Sequence, residues 1–195
     1  CRGLINVGRM IEAPTLSREC LGWVLTAGYS CYADETSGAT VIAAPPGRVG
    51  TRYSLHRDPA GRLRLLELHD GGGEELALYA GEMDVVERFL IGVLADEVRD
   101  DLGLPYLELP WALDHTAPGY TVSEMSPRGY RTLSRADGSP IAAARDVTLS
   151  LVKLVPLSHF MRYDLPALKH SFLDENGAPL LAQGTYGGSA KAGYG

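Results

Sequence analysis

Ala39-Thr40-Val41-Ile42-Ala43-Ala44, Thr51-Arg52-Tyr53-Ser54-Leu55-His56-Arg57, Arg62-Leu63-Arg64-Leu65-Leu66-Glu67-Leu68-His69 and Glu75-Leu76-Ala77-Leu78-Tyr79-Ala80 are four short strand-like runs in succession. Their separators are Pro45-Pro46-Gly47, Asp58-Pro59-Ala60-Gly61 and Asp70-Gly71-Gly72-Gly73. Linkers this short join antiparallel neighbours; a parallel crossover needs a dozen residues or more. Thr51, Tyr53 and Leu55 alternate with Arg52, Ser54 and His56, as one buried and one wet face require. The phase breaks between Leu65 and Leu66, which predicts a bulge or burial on both sides. The segment is therefore read as an antiparallel meander.

Outward from it, helical spacing takes over. Leu16, Cys20, Trp23, Val24 and Ala27 predict an amphipathic helix over 17–27 with Gly28 as its stop. The polar stretch 32–38 reads as a loop. A second helix is predicted over 82–101, with Val86, Leu90, Val93, Leu94 and Val98 as its apolar stripe. Glu87, Arg88, Asp96 and Arg99 are expected to face elsewhere, Gly81 to cap the start, and Gly103 and Pro105 to end the helix. Beyond it, 106–128 shows no periodicity and reads as a long loop or surface insertion. Asp137-Gly138 and Asn176-Gly177 are hairpin-type turn signals. The segment 147–161 fits helix or strand, with Pro156 opposing an uninterrupted helix, and Asp164-Leu165-Pro166 reads as a helix start. The fold class is α+β: a single domain with a mainly antiparallel sheet of meander and hairpins, packed with amphipathic helices. Residues 1–16 read as an N-terminal extension, 17–182 as the domain, and 183–195 as a flexible glycine-rich tail.

Composition narrows the function classes. The 195 residues are 45% hydrophobic and 22% charged, which matches a globular domain able to bury a core. A net charge of −6 and a pI near 5.3 oppose nucleic-acid binding and suit a partner with a basic binding site. No apolar run approaches the ~20 residues of a membrane helix. Three cysteines, Cys1, Cys20 and Cys31, cannot all pair within the chain, so a reducing compartment, the cytoplasm, is expected. Cys1 in place of a starting methionine reads as a fragment or a processed product.

No catalytic, cofactor or metal motif stands out. His69-Asp70-Gly71-Gly72-Gly73 lacks both the Gly-x-Ser-x-Gly elbow of an esterase and the Lys-Ser or Lys-Thr of a phosphate loop. His56, His69, His115, His159 and His170 have no ligand spacing. An enzymatic alternative would rest on His159 or His69 with convergent carboxylates; an adaptor domain is the other alternative. Asp34-Glu35, Glu74-Glu75 and Asp100-Asp101 are carboxylate pairs. The last stands out because negative charge at a helix C-terminus opposes the dipole.

Two blocks carry a family likeness. One is the helix Met83-Asp84-Val85-Val86-Glu87-Arg88-Phe89-Leu90, closing at Leu102-Gly103-Leu104-Pro105. The other runs from Leu157-Ser158-His159-Phe160 through Ser171-Phe172-Leu173-Asp174 to Gly177-Ala178-Pro179-Leu180. Together they resemble the immunity factors that neutralise the tuberculosis necrotizing toxin, and their relatives in actinobacterial polymorphic-toxin systems, over about 17–181. The resemblance implies a non-enzymatic antitoxin, without cofactor or metal, that binds a cognate NAD⁺ glycohydrolase toxin domain one-to-one and occludes its NAD-binding cleft. Neither nucleic acid nor membrane is an expected partner. A cleft that accepts a pyrophosphate carries positive potential, so exposed acids are candidates to stand in for phosphates. From charge and position these are Asp34, Glu35, Asp100 and Asp101, with Tyr32 and Tyr106 as aromatic anchors.

Overall fold

The computed structural model describes residues 12–47, 50–68 and 73–182. The four expected runs are β2 (Ala39–Ala43), β3 (Arg52–Arg57), β4 (Leu63–Leu68) and β5 (Glu74–Ala80), each antiparallel to the next. The phase break is a bulge: Leu65 pairs with Leu78 but Leu66 with Leu76, leaving Ala77 as the extra residue, and both leucines are buried. His69, Asp70, Gly71 and Gly72 lie outside the described residues.

Four more strands extend the sheet. β1 (Ser30–Asp34) pairs with β2 and forms one edge, so the stretch read as a loop is half strand and half turn. Its exposed edge position removes the alternation that reveals a strand in sequence. At the far side, β6 (Tyr120–Val122), β7 (Tyr130–Arg135) and β8 (Pro140–Arg145) form a second antiparallel run, and the sheet order is β1-β2-β3-β4-β5-β8-β7-β6. The two runs join where Tyr79 pairs with Ala143 and Ala80 with Ala142. The Asp137-Gly138 turn makes the β7–β8 hairpin as expected, with Gly138 at φ 82°. The insertion 106–128 is less irregular than expected, since it contains a 3₁₀ turn, Leu113–His115, and edge strand β6.

Helix α1 (Arg18–Thr26) is capped by the Ser17 side chain, which accepts from the Cys20 N–H. Gly28 ends it at φ 78°, with Gly28 N–H donating to Leu25 O and Tyr29 N–H to Val24 O, a Schellman pair. The 82–101 helix is two pieces, α2 (Met83–Val93) and α3 (Ala95–Asp101), separated at Leu94, and Glu82 rather than Gly81 is the N-cap. Glu87 and Arg99, expected to face away from the core, are buried because other chain segments cover that side. Glu87 accepts from both the backbone N–H and the hydroxyl of Ser17.

The undecided 147–161 segment is α4 (Leu149–Phe160), and Pro156 lies inside it. The missing N–H is tolerated because Leu154, Val155, Leu157 and Phe160 are all buried around it, against α2 and the sheet. Asp164 caps α5 (Leu165–Leu173) by accepting from Ala167 N–H, with Pro166 in the first turn. Asn176-Gly177 does not make a hairpin. Gly177 is positive in φ, but the turn follows α5 and is organised by Asp174 Oδ1, which accepts from the N–H groups of Asn176 and Ala178.

The helices pack on one face of the sheet, where Tyr53, Leu55, Leu63, Leu65, Leu78 and Leu133 meet Trp23, Phe89, Leu157, Phe160 and Phe172 in a continuous core. Leu16, within the segment read as an extension, belongs to that core. Strand alternation sends the other side chains to the opposite face: His56, Arg64, Tyr79, Ala143 and Thr132 form one cross-strand line, and Tyr32, Val41, Ser54, Leu66 and Leu76 another.

Candidate functional site

The six residues singled out by charge fall into two groups on different faces. Tyr32 and Asp34 lie on edge strand β1, on the face away from the helices, and Glu35 opens the turn that follows. Tyr32 is 47% exposed. Asp34 shapes the turn: its carboxylate accepts from the Ser37 hydroxyl at 2.7 Å and the Thr36 N–H at 3.0 Å. Those bonds hold its carboxyl below the usual range, the Ser37 bond foremost. Asp34 therefore stays ionised at neutral pH with its geometry fixed.

Asp100, Asp101 and Tyr106 make the second group, on the helix side. Asp100 and Asp101 are the last residues of α3, and Tyr106, 67% exposed, has its hydroxyl 3.5 Å from Asp100 Oδ1. The Asp100 charge raises the Tyr106 pKa. Gly103 closes the helix at φ 66°, with Gly103 N–H on Asp100 O and Leu104 N–H on Arg99 O. Arg99 lies wholly buried beneath this terminus. Arg99 donates to the carbonyls of Pro105, Phe172, Asp174 and Glu175 at 2.7 to 2.9 Å, tying the α3 terminus to the end of α5. Leu102 and Leu173 are exposed on these same two helix ends.

The two groups do not converge. Tyr29, just before β1, places its hydroxyl 3.5 Å from Glu97 of α3. Asp34 lies at the other end of that strand, five residues on and about 17 Å away at 3.3 Å per residue.

The charge-based search missed a third arrangement. On the face away from the helices, the Tyr79 and Tyr130 rings lie 6.0 Å apart. The Arg64 guanidinium sits 5.9 Å from the Tyr79 ring centre, and that of Arg145 sits 5.1 Å from the Tyr130 ring. The one signal in sequence was Tyr79 and Tyr130 at strand positions where alternation turns them away from the core.

Of the histidines and cysteines, His159 and Cys20 have defined surroundings. His159 is half-buried with Nε2 2.8 Å from the His115 carbonyl oxygen, a contact that holds Nε2 as an N–H donor. Desolvation lowers its pKa, partly opposed by that bond. Cys20 is fully buried, and desolvation pushes its thiol well above the ordinary range, so it packs as an apolar group. Among the described residues, no three His, Cys, Asp or Glu side chains come together as a metal site, and no helix is long and apolar enough to cross a membrane.

The family described as Immunity protein 61 matches residues 23–180, from the middle of α1 to the turn after α5. The chain belongs to the Immunity protein 61 family. It is similar to the "Immunity factor for TNT" of Mycobacterium tuberculosis (strain ATCC 25618 / H37Rv), 28% identical over 171 residues, covering 85% of this chain and 92% of that protein. The same values hold for the "Immunity factor for TNT homolog" of Mycobacterium bovis (strain BCG / Pasteur 1173P2). Among solved structures, "Rv3902c from M. tuberculosis" is similar at a TM-score of 0.72 and 25% identity, over 91% of this chain and 97% of that one. The match takes in both blocks on which the resemblance was drawn, so the chain is an immunity protein of this family with an α+β antiparallel-sheet fold.

Proposed function

We propose that this immunity protein binds a cognate NAD⁺ glycohydrolase toxin domain one-to-one and inhibits it by occluding the NAD-binding cleft. It acts in the cytoplasm of the producing cell, as an inhibitor and without turnover, cofactor, nucleic acid or membrane. The inhibitory domain spans 17–182. The observation that carries this reading is the Immunity protein 61 match over residues 23–180, together with relatives named for immunity to TNT. The acidic chain, at −6, favours fast association with a basic cleft. Asp34 and Glu35 with Tyr32, or Asp100 and Asp101 with Tyr106, supply carboxylates to stand in for a pyrophosphate.

The experiment is titration of the protein into an NAD⁺ glycohydrolase assay with the toxin domain encoded beside it. Complete inhibition at one equivalent is expected. Full activity at saturating inhibitor would overturn the proposal.

A further inference from the structure

We infer that the sheet face away from the helices is a docking surface whose centre, the array Arg64–Tyr79–Tyr130–Arg145, receives an acidic, extended segment of the cognate toxin. The inference rests on the reading of the chain as a toxin-binding inhibitor and specifies which face meets the toxin.

Three observations support it. The first is side-chain chemistry. Tyr and Arg dominate the residues that carry binding energy at protein interfaces, while Lys, Glu and Asp are depleted there. Here two half-buried tyrosines and two arginines run across β4, β5, β7 and β8. A guanidinium held against a ring is already oriented, so less freedom is lost when its N–H fork closes on a carboxylate.

The second is charge. The chain is net acidic, yet Arg64, Arg128 and Arg145 have no carboxylate within ion-pair distance among the described residues. Arg62 is paired with Asp58, and Arg131 with Glu124. Arginines held without a direct carboxylate partner along this stripe are complementary to an acidic partner segment.

The third is shape. Beside the array lies an open groove of about 480 Å³ lined by Arg62, Tyr79, Gly81, Arg128, Tyr130 and Thr132. Its middle is low because Ala143 supplies only a methyl group on this face and Gly81 supplies none, while Ala142, opposite Leu133, turns its methyl into the core. A Cβ added at Gly81 would meet nothing within 4 Å. An extended chain lying here would contact small residues beneath and Tyr and Arg on its flanks.

The test compares the wild type with Arg64→Glu/Arg145→Glu, Tyr130→Ala and Arg128→Glu in binding to the toxin domain, with circular dichroism as a check on folding. The double reversal is expected to weaken binding about 100-fold or more, and Tyr130→Ala about 30-fold. Wild-type affinity should fall with added NaCl through this surface, and the double reversal should flatten or invert that slope. Arg128 stands outside the ring stack. Arg128→Glu therefore leaves the array intact and decides the matter if the double variant does not fold, with an expected loss of about tenfold. Affinities within threefold of wild type for all folded variants, with an unchanged salt slope, would overturn the inference while leaving the immunity reading intact. A wild-type protein that neither binds nor inhibits the toxin would overturn that reading instead.

Discussion

Arg99 shows how far a single side chain can depart from what helical periodicity suggests. The spacing of Val86, Leu90, Val93, Leu94 and Val98 puts it off the apolar stripe, but the chain at Phe172–Glu175 closes over it and it is fully buried. Four backbone carbonyls depend on it. Arg99→Met keeps much of the volume and strands those acceptors, and should cost about 3–5 kcal/mol by analogy with breaking a buried charge partnership. In thermal unfolding that is a fall of roughly 10 °C; a shift under 3 °C would show that the carbonyls find other partners. Ser150 is the opposite case: its hydroxyl is buried with no hydrogen-bond partner. Ser150→Ala should raise stability by about 1 kcal/mol, since it removes a stranded polar group and improves helix propensity. His159 adds a pH dependence. Its folded pKa is depressed from 6.5, so the folded state binds fewer protons than the unfolded state, and stability falls as pH drops below about 6.5. His159→Gln should flatten the melting-temperature profile between pH 7.5 and 5.5, and an unaltered profile would assign the dependence to other groups.

At the scale of elements, the parts legible in the sequence were those with a local cause. Leu65 and Leu66 side by side announced the bulge, Gly28 and Gly103 announced helix ends, and Asp164 with Pro166 announced α5. Elements whose cause is tertiary were harder to read. β1 is an edge strand with little alternation, and α4 has apolar residues on most sides, so neither carries a clean period. Gly92 is another case. Inside a helix a glycine looks like a weakness, but here it is where α2 and α4 meet: an added Cβ would lie only 2.9 Å from Phe160 Cζ, with another ring atom closer still. Gly92→Ala should destabilise by about 1–3 kcal/mol through forced displacement of the ring, despite the better helix propensity of alanine. Phe160→Leu in the same chain should recover part of that loss. Double-mutant unfolding curves measure the coupling, and strictly additive costs would place the strain elsewhere.

For the whole molecule, the sequence supported the sheet, the helices and the family, but it could not assign faces to the six nominated residues. Face assignment depends on strand register and on which side the helices cover, and both come from contacts distant in sequence. Once the sheet is formed, Tyr32 and Asp34 share a face with Arg64, Tyr79 and Tyr130, while Asp100 and Asp101 sit among the helices. The same register explains why a search for acids passed over the arginine–tyrosine array. The two acidic pairs give a clean kinetic contrast. Asp34→Lys/Glu35→Lys and Asp100→Lys/Asp101→Lys each change the net charge from −6 to −2, because each reversal adds two. Long-range steering depends on overall charge, so both variants should slow association with a basic toxin cleft by a similar factor, about tenfold at low salt. Dissociation reports contacts instead. With the toxin docked across the face away from the helices, Asp34→Lys/Glu35→Lys should accelerate dissociation about tenfold, and Asp100→Lys/Asp101→Lys should leave it within twofold. Stopped-flow association and surface-plasmon dissociation measure the two rates separately. Faster dissociation for the Asp100/Asp101 variant alone would move the interface to the α3 terminus, where Leu102 and Tyr106 would then be its apolar contacts.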